Sequence, residues 1–215
     1  AGQAGGTAAA VLREKGFAGN VILIGAEAQP PYERPPLSKQ YLRGELPFEQ
    51  TLVRPAGFYG EHAIQTHFGV RALRIDAAAR IVELAGGERV PYDKVLIATG
   101  GRNRRLAVPG RDLEGVYDLR TVGDADRIRA ASVAGRRAVV VGMGFIGAEV
   151  AASLRSCGVE VVTVAPGRAP LVRILGETIG RVLEGLHRDH GVTMLFEDSV
   201  AAFEGAGCVE QVTTT

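Results

Sequence analysis

Ala138-Val139-Val140-Val141-Gly142-Met143-Gly144-Phe145-Ile146-Gly147 is the stretch that decides the fold. The apolar run over 138–141 reads as a buried parallel strand, and the segment up to about Cys157 reads as the helix that follows. Residues 159–165 read as the next strand. The glycines are spaced Gly-x-Gly-x-x-Gly inside strand–turn–helix–strand, the context in which that spacing carries information. Such a turn lets backbone approach a pyrophosphate, while the helix start supplies N–H groups and a positive dipole end for its charge. The competing reading is a glycine-rich packing turn; the context favours dinucleotide binding.

A partial copy of the same pattern stands at the other end of the sequence. Residues 2–16 read as a helix with Ala4, Ala8, Val11 and Leu12 near a 3.6-residue period and Gly16 as its cap. A strand over 20–25 follows, with Glu27 just past its carboxyl end. Gly2 and Gly5 then read as the second and third glycines of a fingerprint, and Glu27 as the acid that accepts a ribose hydroxyl. Glycines that merely start a helix fit this half-motif equally well. The first glycine and its strand would precede Ala1, and both ends of the sequence read as cut.

Between the two units the chain changes character. Pro31-Tyr32-Glu33-Arg34-Pro35-Pro36-Leu37-Ser38-Lys39 leaves the end of a strand as a stiff arm carrying three polar handles, Tyr32, Arg34 and Lys39. Proline favours extended backbone in itself and the preceding residue, so no helix is expected before Leu37. Short helices are expected over 37–43 and 55–62. Residues 63–67, 70–76 and 80–84 read as a small antiparallel meander, with Gly86-Gly87 as a turn. Residues 94–98 read as an apolar strand ending at Thr99-Gly100-Gly101, either a close approach to something bulky or a tight turn. Pro109-Gly110 marks a break, and 121–132 reads as a linker helix. Beyond the second unit a helix is expected over 178–190, with short strands near 192–196, 199–204 and 209–213.

Composition narrows the classes without choosing among them. The 215 residues suit one large or two small domains. With 25 Lys+Arg against 24 Asp+Glu, charge gives no signal for nucleic acid or a membrane surface. No apolar run approaches the ~18 residues of a membrane helix, which makes the cytoplasm the expected compartment. Cys157 and Cys208 form neither a disulfide framework nor a metal site. His187 and His190, one helical turn apart, read as a surface feature, and no metal is expected.

The fold class expected is therefore α/β, with two Rossmann-like dinucleotide-binding units and a small antiparallel β-meander. Residues 1–110 form the first expected domain, and 111–215 the second.

The arm from Pro31 to Lys39 resembles the hallmark of FAD-dependent ferredoxin and rubredoxin reductases in the pyridine nucleotide-disulfide oxidoreductase superfamily. Apoptosis-inducing flavoproteins share it. The resemblance continues through Ala98-Thr99-Gly100-Gly101, Val108-Pro109-Gly110, Leu119-Arg120-Thr121 and the segment 142–149, so it spans nearly the whole chain. It implies that Gly2, Ala4 and Gly5 face the FAD pyrophosphate and Glu27 its adenosine ribose. Arg34 and Lys39 would approach the flavin, Val70 the adenine side. Ala98, Thr99 and Gly100 would lie along the cofactor, and Arg120 would help fix it. Gly142, Gly144 and Gly147 would take the NAD(P)H pyrophosphate, with Phe145 and Ile146 lining the nicotinamide path. Glu149 resembles the acid paired with the arm lysine. That pair would hold a positive charge beside the reduced flavin; the bland reading is an ordinary ion pair.

The function implied is an NAD(P)H-dependent reductase passing electrons through FAD to an iron–sulfur protein such as ferredoxin or rubredoxin. No redox cysteine pair occupies the first unit, which argues against a disulfide reductase. The alternatives are a truncated, non-catalytic nucleotide-binding fragment or a flavoprotein like the apoptosis-inducing ones. Two features depart from the family pattern. Ala165 occupies the place of the acid at the end of the second unit's second strand, leaving Arg168 as either a candidate for a 2′-phosphate or a solvated loop residue, and the choice of nicotinamide open. The family's later FAD contact and carboxyl-terminal domain lie beyond Thr215. Arg102, Arg104, Arg105 and Arg111 read either as a docking patch for an acidic ferredoxin or as a solvated loop.

Overall fold

A computed structural model describes residues 2–215. Its contacts divide the chain into two units. The first holds residues up to Arg34 together with Pro47–Gly101; the second holds Pro35–Leu46 together with Arg102–Thr215.

In the first unit α1 (Gln3–Glu14) leads into β1 (Val21–Gly25), and α2 (Phe58–Glu61) leads into β2 (Ile64–Phe68). β1 and β2 pair in parallel, Val21 opposite Ile64 and Gly25 opposite Phe68. The period-2 alternation of β1 serves two cores. Val21 and Leu23 pack with Ala9, Tyr59 and Ile64. Ile22 and Ile24 pack instead on Val82, Leu84 and Val90. Those last residues belong to an antiparallel meander of β3 (Ala72–Asp76), β4 (Ile81–Leu84) and β5 (Arg89–Pro91).

The second unit is a three-stranded parallel sheet in the order β6-β7-β8, built from β6 (Arg137–Val141), β7 (Glu160–Ala165) and β8 (Thr193–Phe196). Helix α4 (Phe145–Ser156) links the first two strands and α5 (Val172–Asp189) the next two. Met143, Ala148, Ala151, Leu154, Val159, Val161, Val192 and Met194 form its core, joined by Leu42 from just past the proline arm. Helix α3 (Val122–Ala131) precedes the sheet, its first turn closed by a reciprocal capping box between Thr121 and Asp124. An antiparallel pair, β9 (Val200–Glu204) and β10 (Gln211–Thr214), follows it.

Three expectations are corrected. Residues 94–98 form no strand, and Val95, Leu96 and Ile97 are exposed. An apolar run becomes a strand only where a neighbour completes its ladder, and none of the described strands pairs with it. Residues 63–67 belong to no meander: as β2 they pair in parallel with β1, and the third meander strand is β5. The arm also turns earlier than expected, because Pro35–Ser38 forms a 3₁₀ turn. Proline's fixed φ suits the first positions of such a turn, where its missing N–H costs nothing.

Candidate functional site

Two of the three glycines after β6 meet a steric constraint, and the third does not. Gly142 has φ 93°, a left-handed turn that a side chain would strain. Gly144 caps the start of α4, and a Cβ there would meet nothing within 4 Å. A Cβ on Gly147 would lie 1.9 Å from the Gly142 carbonyl oxygen, so the helix can sit on the turn only without one. The start of α4 has no side-chain cap and no acid in its first turn. Its first N–H groups thus have no side-chain cap, and no acid offsets the positive dipole end, features that suit an anion. Phe145 and Ile146 at this helix start are each about half exposed.

The first unit repeats part of this. Helix α1 begins at Gly2, again with no side-chain cap, no acid in the first turn, and open space at Gly2 itself. Gly5 has ordinary clearance: a Cβ would meet Ala98 Cβ and Leu23 Cδ1 at 3.6 Å. The glycine that geometry demands is Gly6, where a Cβ would fall 2.5 Å from Pro31 Cβ and 2.8 Å from the Tyr59 hydroxyl. The doublet Gly5-Gly6 was the signal available in the sequence, and only packing tells the two apart.

Past β1, Glu27 is held from two sides. The Tyr32 hydroxyl donates to its Oε2, and Arg34 donates to Oε1 at 2.5 Å. Arg34 also donates to the Tyr32 oxygen at 2.6 Å, with its guanidinium over the Tyr32 ring. A carboxylate has lone pairs left after two such bonds, so Glu27 remains able to accept from a ribose hydroxyl. Val70 is tied to the end of β1 by its N–H, which donates to the Gly25 carbonyl at 3.0 Å. Ala98 is partly buried, while Thr99 and Gly100 are exposed.

The arm's lysine is engaged within the second unit. Lys39 Nζ lies 2.8 Å from Glu149 Oε2 and donates to the Pro35 carbonyl at 3.1 Å. The Ser38 hydroxyl donates to the same Glu149 oxygen at 2.5 Å, and the buried Ser153 hydroxyl donates to the Ser38 carbonyl at 2.7 Å. Ser38 and Ser153 were not among the expected site residues. Their part is visible only once the arm lies along α4. Arg120 precedes the capping box, its N–H donating to the Asp124 carboxylate at 3.0 Å.

Elsewhere the picture is more mixed. Arg168 donates to Glu197 at 3.1 Å. In the basic loop Arg105 pairs with Asp112 and Asp118, and Arg111 with Asp112, so part of that positive charge is neutralised locally. Among the described residues no His, Cys, Asp and Glu group is arranged to hold a metal ion.

The family model described as pyridine nucleotide-disulphide oxidoreductase matches residues 1–215. The chain belongs to the pyridine nucleotide-disulphide oxidoreductase family. Among curated members, it is 41% identical over 214 residues to rhodocoxin reductase of Rhodococcus erythropolis, covering 99% of this chain and 50% of that one. It is 39% identical to the benzene 1,2-dioxygenase system ferredoxin–NAD(+) reductase subunit of Pseudomonas putida, covering 98% of this chain and 51% of that one. Among solved structures it superposes with a TM-score of 0.95 at 33% identity on a chain in the covalent putidaredoxin reductase–putidaredoxin complex, covering 99% of this chain and 52% of that one. The chain thus spans about half the length of these pyridine nucleotide-disulphide oxidoreductases. The α/β fold of this chain is thus the fold of the corresponding part of that solved structure.

Proposed function

We propose that this chain carries the nucleotide-binding part of an FAD-dependent NAD(P)H reductase that passes electrons to a ferredoxin- or rubredoxin-type iron–sulfur protein. The observation that carries the reading is the glycine turn of the second unit. Gly142 and Gly147 answer two separate steric demands, and Gly144 opens an uncapped helix start with free space where a side chain would stand. Family membership and the reductases among the similar proteins support it.

On this reading residues 1–110 serve FAD and 111–215 serve NAD(P)H. Gly2, Ala4 and Gly5 take the FAD pyrophosphate at the start of α1, and Glu27, oriented by Tyr32 and Arg34, takes its ribose. The bound flavin supplies the conversion of a two-electron hydride into single electrons. Lys39 contributes a positive charge, and Glu149 with Ser38 fixes where that charge stands. Gly142, Gly144 and Gly147 orient NAD(P)H, with Phe145 and Ile146 lining its path. Arg102 and Arg104 remain as charges for steering an acidic partner. A cytosolic location accompanies this reading, and no described helix is long and apolar enough to cross a membrane.

The test is a visible absorption spectrum of the purified chain with FAD added, before and after anaerobic NADH or NADPH. Flavin bands that co-purify or bind, then bleach with one nucleotide, support the reading. A chain that is colourless after incubation with excess FAD and removal of the unbound flavin overturns it and leaves a non-catalytic nucleotide-binding piece.

A further inference from the structure

The end of β7 reads Ala165-Pro166-Gly167-Arg168 where a unit of this type ordinarily carries an acid for the ribose 2′-hydroxyl. The adjacent strand ends beside it. β8 pairs with β7 so that Phe196 stands opposite Ala165, which puts Glu197 immediately beyond. The Glu197 N–H donates to the Gly167 carbonyl at 3.1 Å, and the Asp198 N–H to the Ala165 carbonyl at 3.3 Å. The turn after β8 is therefore tied to the turn after β7. The same end of β7 is tied to the glycine motif, since the Gly142 N–H donates to the Val164 carbonyl at 2.8 Å.

Glu197 itself has φ 56°, a left-handed backbone that a residue with a side chain adopts only at a cost. Its Oε1 accepts from Arg168 Nε at 3.1 Å. Both side chains are largely exposed, 71% and 66%, so the pair contributes little to folding. The next acid, Asp198, turns its Oδ1 to the backbone instead, accepting from the Ser199 N–H at 2.7 Å and the Thr215 N–H at 3.2 Å.

We propose that Glu197 takes over, from the neighbouring strand, the role of the acid absent at Ala165, and makes the chain select a dinucleotide with a free 2′-hydroxyl over one with a 2′-phosphate. The inference rests on the nicotinamide-binding reading of the second unit and deepens it. A 2′-hydroxyl needs an acceptor, and Glu197 Oε2 can serve while Arg168 engages Oε1. A 2′-phosphate brings nearly two negative charges beside a carboxylate, and Arg168, the cation bonded there among the described residues, is already balanced. Arg168 thus holds Glu197 in place and binds phosphate only when Glu197 loses its charge.

The experiment is calorimetric titration of the full chain with ADP-ribose and with 2′-phospho-ADP-ribose, probes that lack nicotinamide and leave any flavin unreduced. The wild type is expected to favour ADP-ribose. Glu197→Gln should move the ratio about tenfold toward the phosphorylated probe, the scale of one charge-assisted hydrogen bond. Adding Arg168→Ala to Glu197→Gln should take that gain away. A wild type that favours the phosphorylated probe, or a ratio unmoved in Glu197→Gln, overturns the inference while leaving the nicotinamide reading standing. Failure of both probes to bind any variant overturns both.

Discussion

Lys39 Nζ sits 2.8 Å from Glu149 Oε2, an oxygen that also accepts the Ser38 hydroxyl. The two charges are partly exposed, so as a stability device the pair is worth only ~0–1 kcal/mol. On the proposed reading, its value lies in fixing a cation beside the flavin. In the FAD-loaded protein, Lys39→Met should slow flavin bleaching by NADH by roughly ten- to a hundredfold. Glu149→Gln keeps an acceptor for Ser38 and should fall between wild type and Lys39→Met. Rapid-mixing absorbance reads both rates, and unchanged values would reduce the pair to an ordinary surface contact.

Gly144 and Gly147 belong to one motif yet should fail differently when changed. Gly147→Ala drives a Cβ into the Gly142 carbonyl at 1.9 Å, and the helix or turn must shift. A loss of about 1–3 kcal/mol or more is expected, visible in a denaturant midpoint. Gly144→Ala meets nothing within 4 Å, so it should fold normally and lose dinucleotide affinity instead. Paired unfolding and titration curves separate the two. In the first unit Gly6→Ala should destabilise much more than Gly5→Ala, for the same reason.

Thr121 and Asp124 close the start of α3 reciprocally. Thr121→Ala should cost about 1 kcal/mol. For Asp124, burial alone would raise the carboxyl pKa. Bonds from the Thr121 N–H and hydroxyl, Arg127 and the Arg120 N–H outweigh burial and hold it below the ordinary range. A depressed carboxylate stabilises fully above its unfolded pKa of about 3.9, and that stability is lost as pH falls through the folded value. Asp124→Asn should therefore flatten the stability profile at the acid end, below about pH 4, as followed by thermal melts.

His187 acts at milder pH. Burial, and next the neighbouring His190, hold its pKa below the ordinary value. The folded chain thus resists protonating it. Stability should be constant above the unfolded pKa of about 6.5 and should fall as pH drops below that. Urea midpoints measured between neutral pH and about pH 5 should decline in the wild type and decline less in His187→Gln. Equal declines would remove His187 as the cause.

The second unit was legible because its signals are local. The run over 138–141, the glycine spacing and the strand at 159–165 recur as β6, the turn before α4 and β7. Thr121 with Asp124 likewise marks its own helix start. What a strand pairs with is not local. Residues 94–98 have the composition of a buried strand, but Val95, Leu96 and Ile97 lie exposed, because apolarity states a demand for cover without naming the cover. Residues 63–67 alternate like a meander strand, yet the parallel partner β1 claims them. The candidate site divides the same way. Lys39 and Glu149 were recognisable from the arm and the motif, and the structure brings them together. Glu197 carried no signal, since its relevance depends on Phe196 standing opposite Ala165.

The path of the backbone limits how this protein can be recombined. Pro35–Leu46 belongs with the second unit although the residues on both sides of it belong with the first. Leu42, 1% exposed, fills a place among Met143, Ala148 and Ala151, and the Tyr41 hydroxyl bonds Asp126 at 2.6 Å. No single crossover point can therefore exchange one unit for a homologue's. A chimera that imports residues 102–215 and keeps the native arm sets Leu42 into a foreign socket, and a leucine-sized mismatch costs roughly 2–5 kcal/mol. Inheritance of this half of the molecule runs through a twelve-residue insert lodged in the other half's gene segment.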